Sequence, residues 1–179
     1  MSTATIAPVG PTKLAAAFYI TQCLLRAIGY AEKVLADIPD DKFTHAAVAS
    51  ANHPAFIVGH LSLYPNRIFT LIGRKDLIVE RPGWPEMFQA GSPCHADVSK
   101  YPSKDTLVNA MLEGYRKVAE VLPQVSDELL AQDNPMEGRM RELFPKIGIA
   151  LNFLCNNHLM MHLGQISTWR RAAGLGPAM

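Results

Sequence analysis

The stretch Cys155–Pro177, CNNHLMMHLGQISTWRRAAGLGP, decides how the chain is read. It prolongs an apolar helical period that starts near Pro145 and sets Ile147, Leu151 and Leu154 on one stripe. The next steps at that spacing are His158, then Met161 or His162, then Gln165. An imidazole on a buried seam is poorly accommodated unless its nitrogens are satisfied. Residues at i and i+4 stand one above the other, about 5–6 Å apart at Cβ, which lets two imidazoles share one metal ion. Two ligands make a weak site, so a third belongs on a facing helix. His60 is the best candidate, because Phe56, Ile57, Leu63 and Tyr64 flank it at helical spacing and put it on an apolar face as well.

Working outward, four long helical patterns are expected. The first runs from about Thr12 to Asp37, with a stripe of Leu14, Phe18, Thr21, Leu25, Ile28 and Leu35 that Pro39 ends. The second starts at Pro54, which suits a first helical position, and ends at a Gly73 cap, with a kink expected at Pro65. From Arg74 to Pro102 prolines and glycines replace any sustained period, which reads as a long crossover loop. Ser103 is the expected N-cap of a third helix, with Leu107, Met111, Gly114, Val118 and Val121 on its stripe and Pro123 as its stop. The fourth spans about Pro145 to Ala173, with Gly174 as its cap. The expected fold is all-α: a four-helix bundle whose long crossover joins helices 2 and 3, with residues 1–179 in a single domain.

Composition narrows the function classes. The chain is 49% hydrophobic and 18% charged with a formal net charge of +1, which leaves no basic footprint for nucleic acid or anionic membranes. No segment is long enough to span a bilayer, and Leu14–Leu25 reads as an amphipathic helix rather than a signal sequence. Cys23, Cys94 and Cys155 are widely separated and form no C-x-x-C pair, which suggests a reducing, cytoplasmic setting. The partner expected is a small-molecule substrate or thiol, and a homodimer is left open.

VGHLSLYPNRI, taken together with HLMMHLGQISTWRRAAGLGP, resembles the DinB/YfiT-like superfamily of four-helix bundles over the full chain. The family carries a histidine in its second helix and an H-x-x-x-H-x-G-Q pair in its fourth, and the resemblance implies His60, His158 and His162 as ligands of one divalent metal. It also implies an activity. Several members are thiol transferases or isomerases that use the metal to activate a low-molecular-weight thiol such as bacillithiol, mycothiol or glutathione. Pro65 departs from the pattern near His60.

Other residues carry weaker alternatives. His53 reads as a helix-start residue with a ligand role as its alternative, and Cys94, His95 and Asp97 as solvated loop groups with a fourth-ligand role as theirs. Gln165 is either an outer partner of a ligand or a polar core group, and Arg170 and Arg171 are expected at the helix C-terminal dipole and solvent. The histidine pair lacks the glutamate of a zinc protease, and no Glu-x-x-His, phosphate loop or G-x-S-x-G is present. Two functions remain: a metal-dependent thiol S-transferase acting on a small electrophile, or a non-catalytic metal-binding or ligand-sensing bundle. Imidazole ligands suit zinc, nickel and iron alike.

Overall fold

In a computed structural model, residues 15–178 are described, and among them the chain is all helical with no strand. Helix α1 spans Ala16–Ala36, so the expected start at Thr12 and the stripe residue Leu14 lie outside the described residues. Its buried face is Ala17, Ile20, Leu24, Ala27, Ile28, Ala31, Val34 and Leu35. The expected stripe is corrected here, because Phe18 and Leu25 are exposed. Apolar residues surround α1 on more than one side, and the face that is buried includes the small residues Ala17, Ala27 and Ala31.

Helix α2 covers Pro54–Ser62 and α3 covers Tyr64–Leu71. Where a kink was expected the helix breaks: Pro65 has no N–H to give, and the chain restarts around Leu63, whose N–H turns to His60 O, three residues back, in place of the α-helical partner four back. Gly73, at φ 74°, closes α3 as expected. The N–H groups of Gly73 and Arg74 bond to Thr70 O and Phe69 O, pairing off the last carbonyls in a Schellman arrangement.

The segment 74–102 is more ordered than its composition suggests. A short helix, α4 (Trp84–Phe88), turns the fully buried Phe88 inward against α2. Helix α5 (Lys104–Val121) comes next, with Ser103 Oγ accepting from Thr106 N–H as its N-cap and Leu107, Met111 and Val118 fully buried. Two short helices, α6 (Asp127–Leu130) and α7 (Arg139–Leu143), precede the final segment.

That final segment is one continuous rod with an altered middle. Helix α8 (Ile147–Asn152) passes into a π-helical turn, Phe153–Asn157, and then into α9 (His158–Ala172). Helix α1 packs on α5 and α9, and α2 packs on α5 and α9, so the core lies between these long elements. Arg170 also departs from expectation. It is 1% exposed and crosses to the C-terminal end of α1, where its guanidinium bonds Val34 O and pairs with Asp37, whose carboxyl it holds below the ordinary range. It therefore serves the dipole of a neighbouring helix, while Arg171 stays on its own helix with Ser167.

Candidate metal centre

Each histidine reaches the centre for a local reason. His60 sits on the last turn of α2, in a helix whose every residue from Pro54 to Ser62 is buried. His158 opens α9 directly after the π-turn, and His162 lies one turn later. A π-turn holds one more residue than an α-turn and rotates the helix C-terminal to it, a device that recurs at functional sites. Met161, the alternative at that step, is turned outward at 51% exposure.

The three side chains converge as expected, offering one ring nitrogen each within 4.8 Å of one another. Nε2 of His158 lies 3.4 Å from Nε2 of His60 and 3.2 Å from Nε2 of His162. Tetrahedral coordination with bonds of about 2.0–2.1 Å sets its ligand atoms about 3.3–3.4 Å apart, so both distances match the edge of such a shell.

Outer contacts fix which nitrogens are free. His60 Nδ1–H donates to Phe88 O at 2.7 Å, because a carbonyl can only accept, and its Nε2 lone pair is left facing the other histidines. His162 Nδ1–H donates to Gln165 Oε1 at 2.8 Å with the same result, so Gln165 is an outer partner of a candidate ligand. His158 Nδ1 is buried without a partner among the described residues.

Electrostatics also favour neutral imidazoles. Burial, together with His162, His60 and Arg67, pulls His158 down from its ordinary 6.5 to about 3. His60 is lowered mainly by burial against the opposing bond to Phe88 O, and His162 is lowered by burial. At neutral pH all three imidazoles are therefore uncharged, the state a divalent ion requires.

Tyr64 was expected only as an apolar wall, yet its hydroxyl donates to His60 Nε2 at 3.1 Å, beside the point where the nitrogens meet. Burial raises its phenol above the ordinary value, so the group remains an O–H donor. The guanidinium of Arg67 lies 4.7 Å from the centre of its ring. Tyrosine four residues after a histidine on one helix face was the available signal. The centre opens into a cavity of about 490 Å³ lined by Phe56, Tyr64, Ser92 and Met161 among others.

The remaining candidates fall outside the centre. His53 is the N-cap of α2: its Nδ1 accepts from Phe56 N–H, and its Nε2–H donates to His95 O. Cys94 is exposed, and neither it nor His95 joins the histidine cluster. Asp97 binds Ser99 at the start of a 3₁₀ turn.

Gly59 links the segment that carries Phe88 to this site. A Cβ there would lie 2.3–2.5 Å from the Phe88 ring, so alanine must push away the residue whose carbonyl orients His60. Gly59→Ala is expected to cost about 1–3 kcal/mol in thermal or denaturant unfolding and to weaken metal binding about 10–100-fold in a chelator competition. Gly29→Ala, where an added Cβ meets nothing within 4 Å, is the neutral control. Equal behaviour of the two variants would show that the Gly59 contact does not support His60.

No family model, curated protein or solved structure matches this chain.

Proposed function

We propose that the chain is a divalent-metal-binding protein of the DinB type, a four-helix bundle with a crossover between its second and third long helices. On this reading it acts as a metal-dependent thiol S-transferase on a small electrophile in the cytoplasm. The observation that carries it is the meeting of three neutral Nε2 atoms with no cysteine or carboxylate among the described residues to complete the shell. Zinc, nickel or iron all suit this donor set. A bound divalent ion supplies a Lewis-acidic position that lowers the proton affinity of a thiol placed there.

The chain's own residues do the rest. Phe88 O and Gln165 Oε1 hold two imidazoles in the tautomer that exposes Nε2. Phe56, Ile57 and Met161 offer the cavity an apolar wall for the hydrophobic part of an electrophile. Tyr64 directs an O–H towards the same point and would hydrogen-bond a thiolate held there, whose proton has passed to water; as its sulfur bonds the electrophile's carbon, the bond to the electrophile's leaving group breaks and that group departs with the electron pair. No helix among the described residues is long and apolar enough to cross a membrane, and Cys23, Cys94 and Cys155 are free thiols.

Titrating cobalt-substituted protein with glutathione, bacillithiol or the uncharged thiol pantetheine tests this reading. A sulfur-to-metal charge-transfer band is expected, with affinity rising as pH approaches the free thiol's pKa of about 8.5. If the metal stays bound and no thiol produces a band, the transferase reading fails.

The Tyr64 hydroxyl also favours the second reading, a non-catalytic metal-binding or ligand-sensing bundle in which that oxygen closes the shell. Tyr64→Phe separates the two. As a hydrogen-bond donor, its loss leaves metal content intact and weakens thiol binding by about tenfold. As a fourth ligand, its loss strips the metal.

A further inference from the structure

A second cavity, of about 530 Å³, adjoins the metal cavity and shares Asn52 and Met161 with it. Its floor is α9, where Gly164, Gln165, Thr168 and Trp169 face the loop Val48–Asn52. The chain just ahead of this loop is tied to α9, because Trp169 is 2% exposed and its Nε1–H donates to His45 O at 2.7 Å. Ser50 stands in this loop at φ 60°, a left-handed conformation that costs a non-glycine residue energy and that clusters at ligand sites.

The chemistry of the walls is specific. No charged side chain lines the cavity; Ser50, Asn52, Gln165 and Thr168 offer uncharged donors and acceptors beside the indole of Trp169. Gln165 belongs to both sites. Its Oε1 accepts from His162, which leaves its amide nitrogen to donate to an occupant of the cavity it lines. Gly164 keeps the floor clear, since a Cβ there would meet nothing within 4 Å.

We propose that this second cavity binds the uncharged, amide- or hydroxyl-bearing body of the thiol whose sulfur reaches the histidine centre. The sulfur end rests on the transferase reading above, whereas the ligand preference of the cavity rests on its own walls. A thiol with a charged body finds no counter-ion there, and a thiol with no body leaves the cavity unused.

The test uses metal-loaded protein carrying Trp84→Phe, in which Trp169 is the remaining tryptophan. S-methylpantetheine is the first probe: it carries two amides and hydroxyls, has no charge, and has no thiol to ionise. It is expected to change Trp169 emission saturably, and Gly164→Leu, which fills the cavity from an open helix position, is expected to weaken that binding at least about tenfold with metal content unchanged. Pantetheine should show the same loss on Gly164→Leu, whereas 2-mercaptoethanol should be indifferent to it. No saturable change in emission, equal affinity in the Gly164→Leu protein, or tighter binding of glutathione than of pantetheine would overturn the assignment. If S-methylpantetheine binds but neither thiol gives a charge-transfer band with cobalt, the cavity assignment stands and the transferase reading alone falls.

Discussion

The His158→Ala protein is expected to carry less than about a tenth of an ion per chain where the unaltered protein carries close to one, because losing a direct ligand exceeds the roughly 100-fold effect of losing an outer partner. His158 is the most sensitive position, since its Nε2 lies within 3.4 Å of both other histidine nitrogens and bridges α2 to α9. Elemental analysis after dialysis measures the loss. Linkage supplies a second readout: an ion present at about 100 times its dissociation constant stabilises the fold by about 2.7 kcal/mol. For a chain of this size that raises the melting temperature by about 5–10 °C. The unaltered protein should show this rise with zinc or nickel, and the His158→Ala protein should not. Full occupancy in His158→Ala would remove the centre from α9 and with it both functional readings.

The histidines were legible because their signal is chemical and local. Two imidazoles one turn apart in an apolar period have few explanations, and His60 carried the same signature of apolar flanks. Their meeting in one cluster depended only on α2 facing α9. Caps were legible for a similar reason, since Ser103, Pro54, Gly73 and Gly174 each satisfy a backbone requirement that few residue types can meet.

Tertiary contacts set the features that stayed hidden. The Phe88 carbonyl that orients His60 is backbone and carries no residue-type signal; only Gly59, which admits the Phe88 ring, hints at the approach. The π-turn at Phe153–Asn157 adds a residue to one turn without a proline or glycine to announce it. Arg170 looked like a solvent-facing cation because arginine usually is one, but its length lets it cross to Val34 O and Asp37. Phe18 and Leu25 were placed in the core on period alone, whereas the stripe that faces inward carries the alanines Ala17, Ala27 and Ala31 beside Ile20 and Leu24.

Acid should unfold the metal-free protein, and the direction of the histidine shifts gives the sign. In the unfolded chain each imidazole takes up a proton near its ordinary 6.5; in the folded chain His158 resists until about 3, and His60, His162 and His53 are lowered too. Between those limits the unfolded state binds more protons, so stability is fully present above 6.5 and is lost as pH falls towards 3. Each fully resisting imidazole contributes a slope of about 1.4 kcal/mol per pH unit, so His158 alone accounts for about 2 kcal/mol by pH 5. Thermal melts of chelator-treated protein from pH 7.5 to 4.5 should show a falling melting temperature, with a shallower fall in His158→Gln, which has no proton to gain. The same competition acts on the loaded protein, because an ion and a proton contend for each Nε2, and ion release should therefore accompany the acid limb. A melting temperature that stayed level below pH 6.5 would mean that these imidazoles accept protons inside the fold, and a charged His158, with its Nε2 3.2 and 3.4 Å from those of two other charged rings, would then have to be held by groups other than those around it.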